Sequence, residues 1–380
     1  MKKYLLGVLL LILSGRVLGS NQDSTSVTSP ETTPTVQRWL EAFVDFVTID
    51  KETYSLSMYP VAGYDPQSGL ILGIKPLWTL YGDGGKTTTI ATEFSYSTEG
   101  FVVAEADLNG YTKSNWNIIT SVGYYRKENQ WYGIGLEGDV EDYSMFTSNE
   151  FLLSGGVSKG FGNVYIGLFF DIQTMGIASI EGDLFTPDVP GYDGGFIIGL
   201  GPMLRYDSRD NVVYPFSGLY VDLKALHYAS WMGSDYEFST LSLDIRYFNT
   251  FGLPKKNVFA FQSVFKNSSD ETPFFRMPVL ADKNSLRGIS NPNKYLDNNM
   301  WYVQGEYRRD LWWRLGAVAW VGVGNDYSLS NKGFFDDVKC VYGIGGRFRI
   351  DNKEKVHLRA DLGFGPNGDS ALFLTFLEAF

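Results

Sequence analysis

The chain has 380 residues, a formal net charge of −11, 42 glycines, one cysteine and two histidines. The acidic balance argues against nucleic acid as a partner, because phosphate binding needs clustered Lys and Arg. A lone Cys340 excludes a disulfide framework and a Cys-based zinc site, and His227 and His357 leave little for His-ligated metal or His-dependent catalysis, so no cofactor and no metal are predicted. Aromatic residues make up 16% of the chain. That load, with glycine above the usual ~7%, is the composition of an all-β chain with many hairpins.

In chain order, Met1-Lys2-Lys3, an apolar run from Tyr4 to Leu13, and Val17-Leu18-Gly19 read as a secretory signal peptide, residues 1–19. Residues 20–35 are rich in Ser, Thr and Asn and predict a disordered tail. Over 36–50, Trp39, Phe43, Phe46 and Val47 recur at helical spacing, which predicts a periplasmic amphipathic helix that lies on a membrane surface or covers a barrel mouth. No later stretch reaches the ~18 apolar residues of a transmembrane helix.

From about residue 69 the period is two. Leu70, Leu72, Ile74 and Leu80 alternate with Gly73, Lys75 and Thr79, and Leu358, Ala360, Leu362 and Phe364 alternate with His357, Arg359, Asp361 and Gly363. Each segment has about the length that crosses a bilayer at a ~45° tilt. The polar face carries whole charges at mid-strand, among them Glu93, Asp171, Asp244, Glu306 and Arg347. That suits a water-filled lumen with lipid outside. Counting back from Phe380 predicts sixteen antiparallel strands from about 69, in an outer-membrane barrel spanning 54–380. Turns are placed at Glu99-Gly100, Lys127-Glu128-Asn129, Lys159–Gly162, Gly252-Leu253-Pro254 and Asp351–Lys353, and long links at Gln173–Gly194, Lys266–Asp297 and Asn325–Val338. Alternating short periplasmic and long extracellular links put both chain ends in the periplasm. Tyr54–Ala62 would be a seventeenth strand and is placed before the barrel. The terminal Phe380 ends an alternating strand, with Glu378 on its lipid face.

Three stretches carry a resemblance. Leu204-Arg205-Tyr206-Asp207-Ser208-Arg209-Asp210-Asn211, then Pro215 and Gly218, form a strand–turn–strand motif. Leu286-Arg287-Gly288 lies in a long link and is followed by Gln304-Gly305-Glu306-Tyr307-Arg308. Gly343–Arg347, Leu358–Asp361 and Glu378-Ala379-Phe380 complete the set. Together they resemble the bacterial surface antigen family, the barrel of the BamA/TamA-type outer-membrane assembly factors. The resemblance covers about residues 55–380 and points to a short member without the family's periplasmic POTRA domains. Two positions depart from the pattern: Ile289 replaces an aromatic after Arg-Gly, and Gly322 stands where the family has Asp.

The resemblance implies that the loop carrying Arg287 and Gly288 folds into the lumen. A guanidinium there needs a carboxylate, and the parity of its strand makes Glu306 the expected partner, with Asp361 as the fallback. Ordinary solvated charges are the alternative. The strand–turn motif contributes Arg205, Asp207, Arg209 and Asp210. The barrel must close its first strand on its last. Pro76 removes one ladder N–H, so the seam against Phe376 and Phe380 is expected to be weakly paired, a harmless bulge being the alternative.

Enzyme signals are weak. Gly156–Gly160 matches G-x-S-x-G but lies at a strand end without the elbow that motif needs, so no enzyme is predicted. The expected function is protein insertion or translocation at the cell outer membrane. A channel, a lipid or solute carrier, and a structural barrel docking a partner are the alternatives. The expected partners are outer-membrane lipid and lipopolysaccharide, the host barrel-assembly machinery through the C-terminal strand, client outer-membrane proteins and a second copy of the chain.

Overall fold

The computed structural model describes residues 35–65, 69–82, 87–135, 142–254, 256–328, 332–350 and 355–380, with backbone only at 35, 36, 40, 62–65 and 376. The expected leader (1–19), and the expected tail apart from Thr35, lie outside the described residues. The chain divides into two compact units, Met1–Phe43 and Val44–Phe380.

A helix, α1, runs Thr35–Val47. In the second unit a three-residue strand β1 (Thr48–Asp50) precedes sixteen long strands. These are β2 (Tyr54–Asp65), β3 (Gly69–Leu80), β4 (Thr88–Ser97), β5 (Val102–Tyr111), β6 (Trp116–Trp131), β7 (Ser144–Phe161), β8 (Val164–Glu181), β9 (Gly195–Asp207), β10 (Gly218–Tyr228), β11 (Phe238–Asn249), β12 (Asn257–Ser268), β13 (Asn299–Trp312), β14 (Leu315–Tyr327), β15 (Lys339–Arg349), β16 (His357–Phe364) and β17 (Ser370–Phe376). Each pairs antiparallel with the next in sequence order. No described helix is long and apolar enough to cross a membrane.

The architecture is the expected transmembrane barrel of sixteen long strands, reached with two corrections. Tyr54–Asp65 is not a segment ahead of the barrel; it pairs along its whole length with β3. Lys127-Glu128-Asn129 is not a turn. The β6–β7 ladder runs through it unbroken, from Trp116↔Lys159 to Trp131↔Ser144. Polar residues end a strand only where the backbone must turn, and this stretch has no Gly or Pro to turn it. Asn129 donates instead to the Ser148 hydroxyl across the ladder at 2.9 Å. The expected strand lost here and the unexpected one gained at Tyr54 offset each other in the count.

Burial alternates along the wall, outward positions exposed and apolar, inward positions buried and polar. On β16, Leu358, Leu362 and Phe364 face out, whereas His357, Arg359 and Asp361 are buried. On β15, Tyr342 and Ile344 face out and Lys339 and Arg347 face in. An apolar exterior around a charged interior is the pattern of a barrel in lipid. Inside, the link 269–298 fills much of the lumen. Its residues Leu280, Leu286, Ile289 and Tyr295 build an apolar cluster with Val264, Met300 and Val341 of the wall. Ile289, at the position where the resemblance leads one to expect an aromatic, is fully buried in that cluster.

Candidate functional site

Arg287 sits in the 269–298 link and is fully buried. Leu286 before it has φ +38°, a left-handed conformation that a leucine rarely adopts. Two wall glycines let the link come this close. A Cβ on Gly363 would lie 1.4 Å from the Arg287 carbonyl oxygen, and one on Gly322 would lie 2.7 Å from Leu286 Cδ2. The side chain that the resemblance places at 322 would therefore occupy the space Leu286 takes.

The Arg287 guanidinium donates through Nη2 to Glu306 on β13 and through Nη1 to Asp361 on β16, the latter at 2.5 Å. It stacks on the Trp320 ring at 4.1 Å from the centroid. The structure thus brings Arg287, Glu306 and Asp361 together, with the expected acceptor and the fallback acceptor engaged at once. Gly288 packs beside them against the backbone of Phe364.

Further charges extend the cluster. Arg308 donates to Glu306 at 2.6 Å, and Arg347 donates to Asp361 at 2.5 Å. Arg359 stands 3.4 Å from Asp361 and donates to the Lys283 carbonyl at 2.7 Å. Isolated buried charges cost several kcal/mol each, so a cluster like this persists only when each charge is matched and hydrogen-bonded. Together these pairs tie the link to β13 and β16, and Arg347 of β15 joins them through Asp361.

The chain end departs from expectation. β17 stops at Phe376, and Leu377 takes φ +66° while its N–H donates to the His357 carbonyl at 3.0 Å. That turn sends the last residues into the lumen. Glu378 accepts from Arg347 Nε at 2.9 Å and lies 3.2 Å from His357 Nδ1. Phe380 packs on Phe248 and Ala260, and its carbonyl oxygen accepts from Arg308 at 2.8 Å. Neither Glu378 nor Phe380 lies on the lipid face, because the alternation that predicted it ends at the left-handed residue. Burial would raise the Glu378 carboxyl, but Arg347, His357 and Arg308 hold it well below the usual carboxylate range.

The strand–turn motif forms a separate cluster. Arg205 donates to Asp222 at 2.8 Å and to Asn117 at 2.9 Å. Arg209 forks onto Asp207, with contacts of 2.7 and 2.9 Å. Asp210 accepts from the Phe216 and Ser217 amides and so shapes the turn. The Tyr220 ring lies under Arg205, Arg209 and Arg246, at 5.4, 4.3 and 5.1 Å.

The sheet is not closed. No ladder joins β17 to β2 among the described residues. Pro76 is not on either open edge. It lies on β3, one strand in, and what it interrupts is the β3–β4 ladder, which skips from Ile74↔Phe94 to Leu77↔Ala91. Thr92 donates to the Pro76 carbonyl at 3.1 Å across that gap. The side chain of Phe376 lies outside the described residues. The edge of β2 not used by β3 is taken over Ser55–Ser57 by β1. A cavity of about 230 Å³ is lined by residues of β2 to β5, among them Tyr59, Lys75 and Glu93, and by Thr375 and Glu378 at the chain end.

No family model and no curated protein matches the chain. Solved structures do. BamA from Haemophilus ducreyi lacking POTRA domains 1–3 aligns at a TM-score of 0.55 and 14% identity, over 86% of this chain and 70% of that one. CdiB from Acinetobacter baumannii aligns at 0.56 and 10% identity, over 86% and 59%. CdiB from Escherichia coli aligns at 0.56 and 13% identity, over 87% and 62%. The chain spans less than two thirds of either CdiB. At these identities the likeness establishes a shared barrel fold.

Proposed function

We propose that this chain is an outer-membrane barrel that assists the insertion or translocation of proteins, working at the open edge between β2 and β17. The observation that carries this reading is that, among the described residues, no ladder joins those two strands in a barrel otherwise paired in sequence order. Unpaired N–H and C=O groups facing lipid cost several kcal/mol each, and an incoming strand satisfies them. The likeness to BamA and CdiB supports the same reading.

In this reading Arg287 is the lock. Its bonds to Glu306 and Asp361 hold the 269–298 link in the lumen and fix the wall beside β17. Arg205, Asp207, Arg209 and Asp210 stiffen the β9–β10 turn. We place the shortest links, 162–163 and 313–314, and both chain ends on the periplasmic side, with α1 there as well. The apolar exterior contacts lipid and lipopolysaccharide, and the clients are other outer-membrane proteins. The C-terminal strand as a signal to the host assembly machinery concerns the chain before Leu377–Phe380 folds inward.

The test compares insertion rates of urea-unfolded small barrel proteins into proteoliposomes holding this protein and into empty liposomes. Faster insertion with the protein supports the reading. Equal rates with folded protein would overturn it. Ion conductance that rises on deletion of 270–297, in protein that fails to speed insertion, would favour a plugged channel instead.

A further inference from the structure

Between the wall of β6–β12 and the 269–298 link lies a lumenal chamber of about 680 Å³. That is within the ~300–1,000 Å³ of small-molecule sites. One side is apolar, lined by Trp131, Phe146, Phe169, Leu226, Phe274 and Met277. Trp131, Phe146 and Phe274 form a rigid aromatic cluster, with ring centroids 5.2 and 5.6 Å apart for its Phe274 pairs.

The other side is charged, and most of its charges are matched. Arg276 pairs with Asp171 at 2.8 Å, and Lys127 stands 3.6 Å from Glu150. Lys224 pairs with Asp222 at 2.8 Å and lies 4.6 Å over the Phe169 ring. Glu128 also lines the chamber, with no ion pair among the described residues. Lys266 is unmatched too: it is exposed to the open space of the chamber and has no hydrogen bond or ion pair among the described residues. A chamber holding one unmatched cation and an aromatic wall has the complement of a ligand with an anionic head and an apolar tail.

We propose that this chamber binds an amphipathic anion, an alkyl chain with an anionic head group. Lys266 takes the head, and Trp131, Phe274, Met277 and Leu226 surround the tail. The site does not depend on the insertion reading. It uses neither the open edge nor the Arg287 cluster.

The test uses the full protein in zwitterionic nanodiscs, titrated calorimetrically with hexyl phosphate, with empty nanodiscs as the blank. Saturable binding is expected, at least tenfold tighter than hexanol and tenfold tighter than inorganic phosphate. Lys266→Gln should weaken it about tenfold, Lys266→Arg should restore most of it, and Lys113→Gln, on a distant link, should change nothing. Thr240→Trp fills the chamber and should abolish binding while heat-modifiable gel migration shows an intact barrel. Binding equal to the blank, or unchanged by both Lys266→Gln and Thr240→Trp, overturns the proposal. Hexanol binding as tightly as hexyl phosphate overturns it too, because the cation would then play no part.

Discussion

At the scale of single residues, the Arg287 cluster is the most consequential feature of the chain. Arg287→Ala would leave Glu306 and Asp361 buried with fewer partners, and breaking a buried pair costs about 3–5 kcal/mol. The expected result is a lower thermal midpoint and faster proteolysis within 269–298. An unchanged midpoint and cleavage rate would remove the lock. Gly363→Ala tests the same docking from the wall side. A methyl 1.4 Å from the Arg287 carbonyl forces the link outward, so it should reproduce the protease sensitivity while leaving every charge in place. Glu378 gives a pH dependence. Its folded carboxyl titrates well below its unfolded value of 4.5. A depressed carboxylate contributes stability that is whole above its unfolded value and is lost as pH falls through the folded one. Carboxypeptidase release of Phe380 should therefore be slow at neutral pH and rise below pH 4.5, and Glu378→Gln should flatten that profile. The inward direction of Glu306 and Asp361 was legible from alternation alone. Glu378 was not, because parity assumes an extended chain and Leu377 breaks it.

At the scale of elements, β1 explains why the gap has the form it has. An antiparallel β2 has two edges. β3 takes one along all of Tyr54–Asp65, and β1 takes the other over Ser55–Ser57. The inward turn at Leu377 removes the chain end that would otherwise continue β17 beside those residues. The short strand and the tucked end thus withhold both halves of the same stretch of pairing. Deleting Thr48–Asp50 should raise the oxidation yield of a cysteine pair placed at Leu56 and Phe376 several-fold, in a Cys340→Ser background. An unchanged yield would show that β1 does not compete for that edge. A three-residue strand could not be read in the sequence, since it has no period to detect. The long strands could, but not their ends. β6, β7 and β8 run 16, 18 and 18 residues, beyond what a bilayer needs, and the polar Lys127–Asn129 stretch of β6 keeps its ladder.

At the scale of the molecule, the sign of the two faces decides the fold. Apolar residues point outward, while arginines, lysines and carboxylates of both barrel halves and a loop occupy the inside, which is stable only in lipid. Alternation and segment length made that legible in the sequence. Closure was not legible, because the pairing of a first strand with a last one leaves no local pattern. Pro76 suggested a weak seam for a reason that belongs to the β3–β4 ladder instead. The central claim is that the β2–β17 edge acts on client proteins, and a reversible cross-link tests it most directly. With Cys340 changed to Ser, one cysteine in β2 and one in β17 are oxidised, and client insertion into proteoliposomes is measured before and after reduction. The account predicts that the disulfide abolishes the acceleration and that reduction restores it. Equal acceleration in the oxidised and reduced states would contradict it.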